Sequence, residues 1–263
     1  MSRERLSFDG AETPQGKVRS PEHNPLIVAL DVDTEDEVLR ICRALQGKVT
    51  LYKVGLELFL SLGRKAVEIV KSLGGQVFLD LKFYDIPKQA AAASREAAKM
   101  DVEMFTVHAL GGPEMMRRCR LAAEEEADKQ GFRCPSVLGV TILTSLDQND
   151  LRRLGIEKDL EKEVVLLASR AYEAGLHGVV ASPRETSLLR KKFGNDFLIV
   201  TPGVRLTDQE IKEKTSDQKR VATPSEAIKR GASYVVMGRS ILSNSHPDKL
   251  IHKILIRIKR EKS

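Results

Sequence analysis

The chain reads as a single (β/α)8 barrel of the TIM type, an α/β fold of eight parallel strands wrapped by helices. Three observations predict it. Short runs rich in Val, Ile, Leu and Phe recur at 26–31, 49–54, 76–81, 103–108, 136–141, 177–181, 197–201 and 233–237. Amphipathic helical patterns separate them, as expected for parallel strands covered on both faces. Polar residues gather at the C-terminal ends of the runs, where a barrel carries its chemistry. Eight such units in about 240 residues suit a closed barrel better than an open doubly wound sheet. No Gly-x-Gly-x-x-Gly follows the first run to indicate a dinucleotide fold.

Taken in order, residues 1–24 hold four Lys or Arg and scarcely an apolar stretch, so they read as a flexible extension to a catalytic barrel spanning 25–263. The first run ends at Asp31, and Thr34 with Glu37 marks a capping box that starts a helix. The second run carries Lys53. The third, Val77-Phe78-Leu79-Asp80-Leu81-Lys82, places two charges two residues apart on one face of an apolar strand. An unpaired charge in a protein interior costs several kcal/mol, so Asp80 and Lys82 must compensate one another and have a reason to be there. Asp85 adds a third charge just before Ile86-Pro87, and Pro suits the first turn of a helix. A structural ion pair at a strand end is the plain alternative.

The fourth run ends at His108 and the fifth at Thr141; Pro113, Pro183 and Pro224 stand where further helices are expected to begin. His108 is weighed as a general base, but a fourth-strand His more often makes a structural hydrogen bond. After the seventh run comes Thr201-Pro-Gly-Val-Arg205, and after the eighth Gly238-Arg239-Ser240. Loops at these two places form the usual phosphate site of a barrel, with Gly for close backbone approach and Arg for bidentate oxygen recognition. A phosphorylated substrate is expected.

Composition excludes several classes. Nothing resembles a secretory leader or a stretch of roughly 20 apolar residues, so a soluble cytoplasmic protein with no membrane partner is expected. The net charge of +6 is spread along the chain, and with 5% aromatics and no Trp there is no platform for nucleic acid. The basic residues from Lys253 to Lys262 suit the end of a last helix. Cys42, Cys119 and Cys134 are odd in number and far apart, which fits reduced thiols, and Cys42 is spaced for core packing with Val38, Ile41 and Leu45.

Over these residues the chain resembles the orotidine 5'-phosphate decarboxylase family, from about Pro25 to the C-terminus. Ala-Leu-Asp at 29–31, Tyr-Lys-Val-Gly at 52–55, FLDLKFYDIP at 78–87, VHALGG at 107–112, VTILTS at 140–145, VTPGVR at 200–205, DQKRVATP at 217–224 and VVMGRSI at 235–241 follow the family pattern in order. Tyr84, where many members have His, and Lys88-Gln89 depart from it. The resemblance implies decarboxylation of orotidine 5'-phosphate to UMP in pyrimidine biosynthesis, with no metal and no cofactor, in a homodimer with shared active sites. It implies that Asp31 binds a ribose hydroxyl, that Lys53 bridges ribose and the charged network, that Asp80 faces the departing carboxylate and that Lys82 delivers the proton. Asp85 and Ile86 are expected to reach the neighbouring subunit's site. Thr144 is assigned to the pyrimidine edge, and Arg205, Gln218, Gly238 and Arg239 to the phosphate end.

The rival readings are separated by particular residues. Magnesium-dependent sugar-phosphate decarboxylases and synthases share the Asp-x-Lys-x-x-Asp spacing, but as relatives they imply an acidic ligand at the second strand. Lys53 stands there, and a cation does not ligate magnesium. An indole-glycerol-phosphate type of barrel would want a Glu at a strand end, and none is present. A catalytically silent nucleotide-binding module would not need Lys53, Asp80, Lys82 and Asp85 together.

Overall fold

The computed structural model describes residues 24–205 and 222–262. Eight parallel strands close into a barrel in chain order: β1 (Leu26–Ala29), β2 (Leu51–Gly55), β3 (Gln76–Phe83), β4 (Met104–His108), β5 (Ser136–Val140), β6 (Gly178–Val180), β7 (Leu198–Thr201) and β8 (Tyr234–Met237). The seam is made by β1 against β8, with Leu26 opposite Val235 and Val28 opposite Met237. The helices that follow are α1 (Glu35–Leu45), α2 (Leu56–Leu62), α3 (Arg64–Ser72), α4 (Pro87–Lys99), α5 (Gly112–Gln130), α6 (Gln148–Arg153), α7 (Leu160–Glu173), α8 (Thr186–Phe193), α9 (Pro224–Lys229), α10 (Arg239–Leu242) and α11 (Pro247–Lys262).

Strand alternation divides the core in two. Leu26, Val28 and Leu30 face outward into the layer between strands and helices, while Ile27 and Ala29 face the barrel axis. The inner set is completed by Leu51, Phe78, Met104, Leu138, Leu198, Val200, Tyr234 and Val236. Two residues beyond Leu51 on the same face comes Lys53, and two beyond Phe78 comes Asp80. The polar mouth is therefore the next inward layer above an apolar plug, and the strand period itself lifts the charges to the C-terminal end.

Some expected starts are met differently. Thr34 does cap α1, accepting the Glu37 amide at 3.4 Å, but the Glu37 carboxylate takes the Thr34 hydroxyl at 3.0 Å instead of reaching back to the Thr34 amide. Pro87 and Pro224 open α4 and α9, and Pro113 lies in the first turn of α5. Pro183 does not open a helix: it lies in a turn, and α8 begins only at Thr186. Cys42 is buried in α1 with Val38, Ile41 and Leu45, as its spacing requires. Among the described residues no helix is long and apolar enough to cross a membrane.

A charged cavity at the barrel mouth

The ladder between β3 and β4 breaks where the charges begin. Leu79 pairs with Phe105, yet the next pair is Phe83 with Val107, so four steps along β3 match two along β4. The excess is two residues, an even number, and alternation therefore survives it: Leu79, Leu81 and Phe83 all pack outward. Asp80 and Lys82 share the inward face as expected, by way of a bulge and not a regular strand. Lys82 pays for it with a φ of 52°, in the left-handed region that non-glycine residues seldom enter.

Four side chains of alternating sign then form a chain across the mouth. Asp31 Oδ1 lies 3.3 Å from Lys53 Nζ, Lys53 Nζ lies 4.0 Å from Asp80 Oδ2, and Asp80 Oδ2 accepts from Lys82 Nζ at 2.9 Å. The Asp80 side chain is 13% exposed and that of Lys53 15%, so water screens the inner pair weakly. Thr106, fully buried, donates to Asp80 Oδ1 at 3.0 Å and accepts the backbone N–H of Lys82 at 2.9 Å. Gly55 leaves room for Lys53: a Cβ there would stand 2.8 Å from its Nζ. Gly238 does the same for Asp31, whose Oδ2 a Cβ would meet at 2.6 Å.

These residues line a cavity of about 700 Å³. Asp31, Lys53, Asp80 and Lys82 line it together with Thr144, Arg205, Gly238 and Arg239, and Ile142, Val180 and Val236 add apolar surface. The Arg205 amide donates to Ala222 O at 2.9 Å, and Arg239 is the first residue of α10, directly after Gly238. The cavity thus joins a charged cluster, apolar surface and two arginines, a lining suited to a small anionic ligand.

Two of the expected site residues stand apart. Asp85 and Ile86 are exposed and do not line this cavity; the Asp85 carboxylate accepts its neighbour's amide, Ile86 N, at 2.6 Å. Gln218 lies outside the described residues. His108 Nδ1 accepts from the Leu110 amide at 3.3 Å, and the ring packs 5.4 Å from Tyr84. Burial, and after it the Lys82 charge, holds the imidazole below its ordinary range, so it is neutral at pH 7 with its proton on Nε2. That is the structural hydrogen bond expected of a fourth-strand His. Thr106 and Gly55 were not singled out from sequence. A Thr within an apolar strand is an ordinary β-former, and only its inward position between Met104 and His108 sets it apart.

Comparison with known proteins gives a consistent picture. Residues 24–254 match the family model described as "Orotidine 5'-phosphate decarboxylase / HUMPS family". Among curated proteins, the orotidine 5'-phosphate decarboxylase of Trichlorobacter lovleyi is 46% identical over 229 residues, covering 87% of this chain and 92% of that protein. The protein of the same name from Geobacter metallireducens is 48% identical over 223 residues, covering 85% and 91%. Among solved structures, the orotidine 5'-phosphate decarboxylase of Lactobacillus acidophilus superposes with a TM-score of 0.78 at 33% identity, covering 89% of this chain and 99% of that one.

Proposed function

The chain belongs to the orotidine 5'-phosphate decarboxylase / HUMPS family and is a carboxy-lyase, and from that premise we propose that it converts orotidine 5'-phosphate to UMP in pyrimidine biosynthesis without metal or cofactor. The observation that carries this reading is the Asp31–Lys53–Asp80–Lys82 chain, in which a lysine holds the second-strand position and an ammonium touches a carboxylate at 2.9 Å. Lys53 speaks against a magnesium-dependent sugar-phosphate reaction at this site, since magnesium takes carboxylate oxygens and water.

The chemistry asks for charge in the right place. When the bond between the ring carbon and the carboxylate breaks, CO2 leaves and its electron pair stays in the ring plane, where the π system does not accept it. An ammonium 4 Å from that pair gains about 4 kcal/mol at an effective dielectric of 20, more as the charge localises. Lys82 supplies the ammonium and then its proton, which goes to the ring carbon; water returns one to the amine. Asp80, 2.9 Å away, holds the Lys82 ammonium in place before reaction, and its own negative charge disfavours a substrate carboxylate next to it until CO2 departs. Asp31 and Lys53 hold the ribose, Thr144 the pyrimidine edge, and Arg205, Gln218, Gly238 and Arg239 the phosphate. Grip on the phosphate lowers the barrier further where that binding energy closes the loops around the ring.

The site is completed by a second copy. Asp85 and Ile86 are exposed and outside the lining of their own cavity, just before α4, where an isologous dimer at the barrel mouths lets each subunit lend them to the other. We read residues 25–263 as one catalytic barrel, residues 1–24 as an extension, and the location as cytoplasmic. The test is a spectroscopic assay for loss of orotidine 5'-phosphate with and without EDTA. Turnover indifferent to the chelator is expected. No turnover overturns the reading, and loss of activity in EDTA favours the magnesium-using relatives.

A further inference from the structure

A backbone N–H only donates, so where Thr106 Oγ1 meets the Lys82 amide at 2.9 Å the hydroxyl is the acceptor. Its single proton is then directed at Asp80 Oδ1, 3.0 Å away. Asp80 Oδ1 is thereby occupied, and Oδ2 is left for Lys82 Nζ at 2.9 Å and Lys53 Nζ at 4.0 Å. The Lys82 amide belongs to the stretch where the β3–β4 ladder is interrupted, between Leu79 and Phe83. A side chain has taken the place of the carbonyl that a regular ladder would offer. One buried hydroxyl therefore ties the left-handed backbone of Lys82 to the carboxylate that its own ammonium must meet.

We infer that Thr106 is a positioning residue for the decarboxylation, setting the direction of the Asp80 carboxylate and the backbone of Lys82 with one hydroxyl. The inference rests on the reading of the site as an orotidine 5'-phosphate decarboxylase. Thr106 does not line the cavity; it acts through Asp80 and Lys82. A hydroxyl that merely satisfied buried partners would influence stability and leave the reacting charges where they are.

Thr106→Val keeps the shape of the side chain and removes both hydrogen bonds, whereas Thr106→Ser keeps the hydroxyl. The purified full chain is assayed with orotidine 5'-phosphate, and the Kd of UMP is measured beside it, because UMP carries no carboxylate and develops no carbanion. The Val variant is expected to lose about 10- to 100-fold in kcat, the effect of a charge-assisted hydrogen bond, with KM and the UMP Kd changed by less than about 3-fold. The Ser variant recovers most of the loss. The inference is overturned if the Val variant keeps the wild-type kcat, if its loss lies in KM and UMP affinity instead, or if Ser is as impaired as Val. Should Val fold poorly, Thr106→Ala, assayed at lower temperature, reads the same split. A wild type inert toward orotidine 5'-phosphate overturns the parent reading, while an active wild type with an indifferent Val variant overturns the role of Thr106 alone.

Discussion

Two polar clusters sit at opposite ends of the same barrel, and they are built for different purposes. At the mouth, Asp31, Lys53, Asp80 and Lys82 alternate in sign along a cavity wall. At the foot, ahead of β5 and β6, Glu124, Cys134 and His177 bring ligand atoms within 4.8 Å of one another. The foot resembles a metal site only by proximity. His177 Nδ1 accepts the Val137 amide at 3.1 Å, so the neutral ring carries its proton on Nε2 and has no lone pair left to offer. Arg120 Nη1 lies 2.6 and 2.8 Å from the two oxygens of Glu124. Burial, with Glu124 and Asp128 adding to it, pushes the Cys134 thiol up to about 12. Each group at the foot is spent on a neighbour or the backbone, whereas at the mouth the charges face a space large enough for a substrate. Polarity at the N-terminal face is spent within the barrel, whereas polarity at the C-terminal face lines a cavity, where on the proposed reading it acts on the substrate.

The comparison breaks most visibly if the mouth tolerates loss of its ammonium. Lys82→Ala is expected to lower kcat by about 10³-fold or more, since the group acts chiefly in the transition state, and added divalent metal should not restore it. A variant with full activity in the orotidine 5'-phosphate assay would remove Lys82 from the chemistry. Arg239→Ala comes next, with kcat/KM reduced by about 10- to 150-fold, the equivalent of about 1.5–3 kcal/mol for a charge-assisted contact. The unphosphorylated nucleoside should be far less sensitive, and equal losses on both substrates would make Arg239 structural.

A smaller effect tests whether the mouth is shared. Lys82→Ala and Asp85→Ala are each expected to be inactive alone. Mixed and allowed to exchange, they should regain about a quarter of wild-type activity, because half the dimers are mixed and each holds one intact site. No recovery despite proven heterodimers would place Asp85 in its own subunit's site. The smallest expected effect on turnover is at the foot. His177→Asn, with an oxygen where Nδ1 stood, should leave kcat unchanged within about 2-fold and act on stability alone. Burial, then Arg120 and Arg133, lowers the His177 pKa from 6.5 to about 4. The unfolded chain therefore binds the extra proton first, and wild-type stability falls as pH drops from about 6.5 toward about 4, by up to about 1.4 kcal/mol per pH unit. Unfolding midpoints measured across that range should be flatter for the variant; the same slope in both would deny His177 that role.

The mouth was legible in the sequence and the foot was not, for a physical reason. A charge within an apolar strand is anomalous on its own strand, so Lys53, Asp80 and Lys82 announce themselves without any knowledge of their partners. Glu124, Cys134 and His177 are each unexceptional, and only the closed barrel brings them together. The eight apolar runs located the strands because parallel strands buried on both sides leave near-continuous hydrophobic stretches. Pro183 misled because proline marks a turn as readily as a helix start. The β3 bulge left no trace, since an even insertion preserves the alternation on which strand reading depends.

The seam has a consequence for how this protein is made. Asp31 follows the first strand and Gly238 the last, and a single added methyl group at Gly238 would strike the Asp31 carboxylate. The cavity spans that junction, so part of its lining is assembled from the first and last strands. A chain leaving the ribosome therefore has no competent site until its eighth strand has emerged and docked on the first. A molecule that grips both sides of the junction acts as a clasp on the finished barrel, adding about 2.7 kcal/mol against reopening when present at a hundred times its dissociation constant.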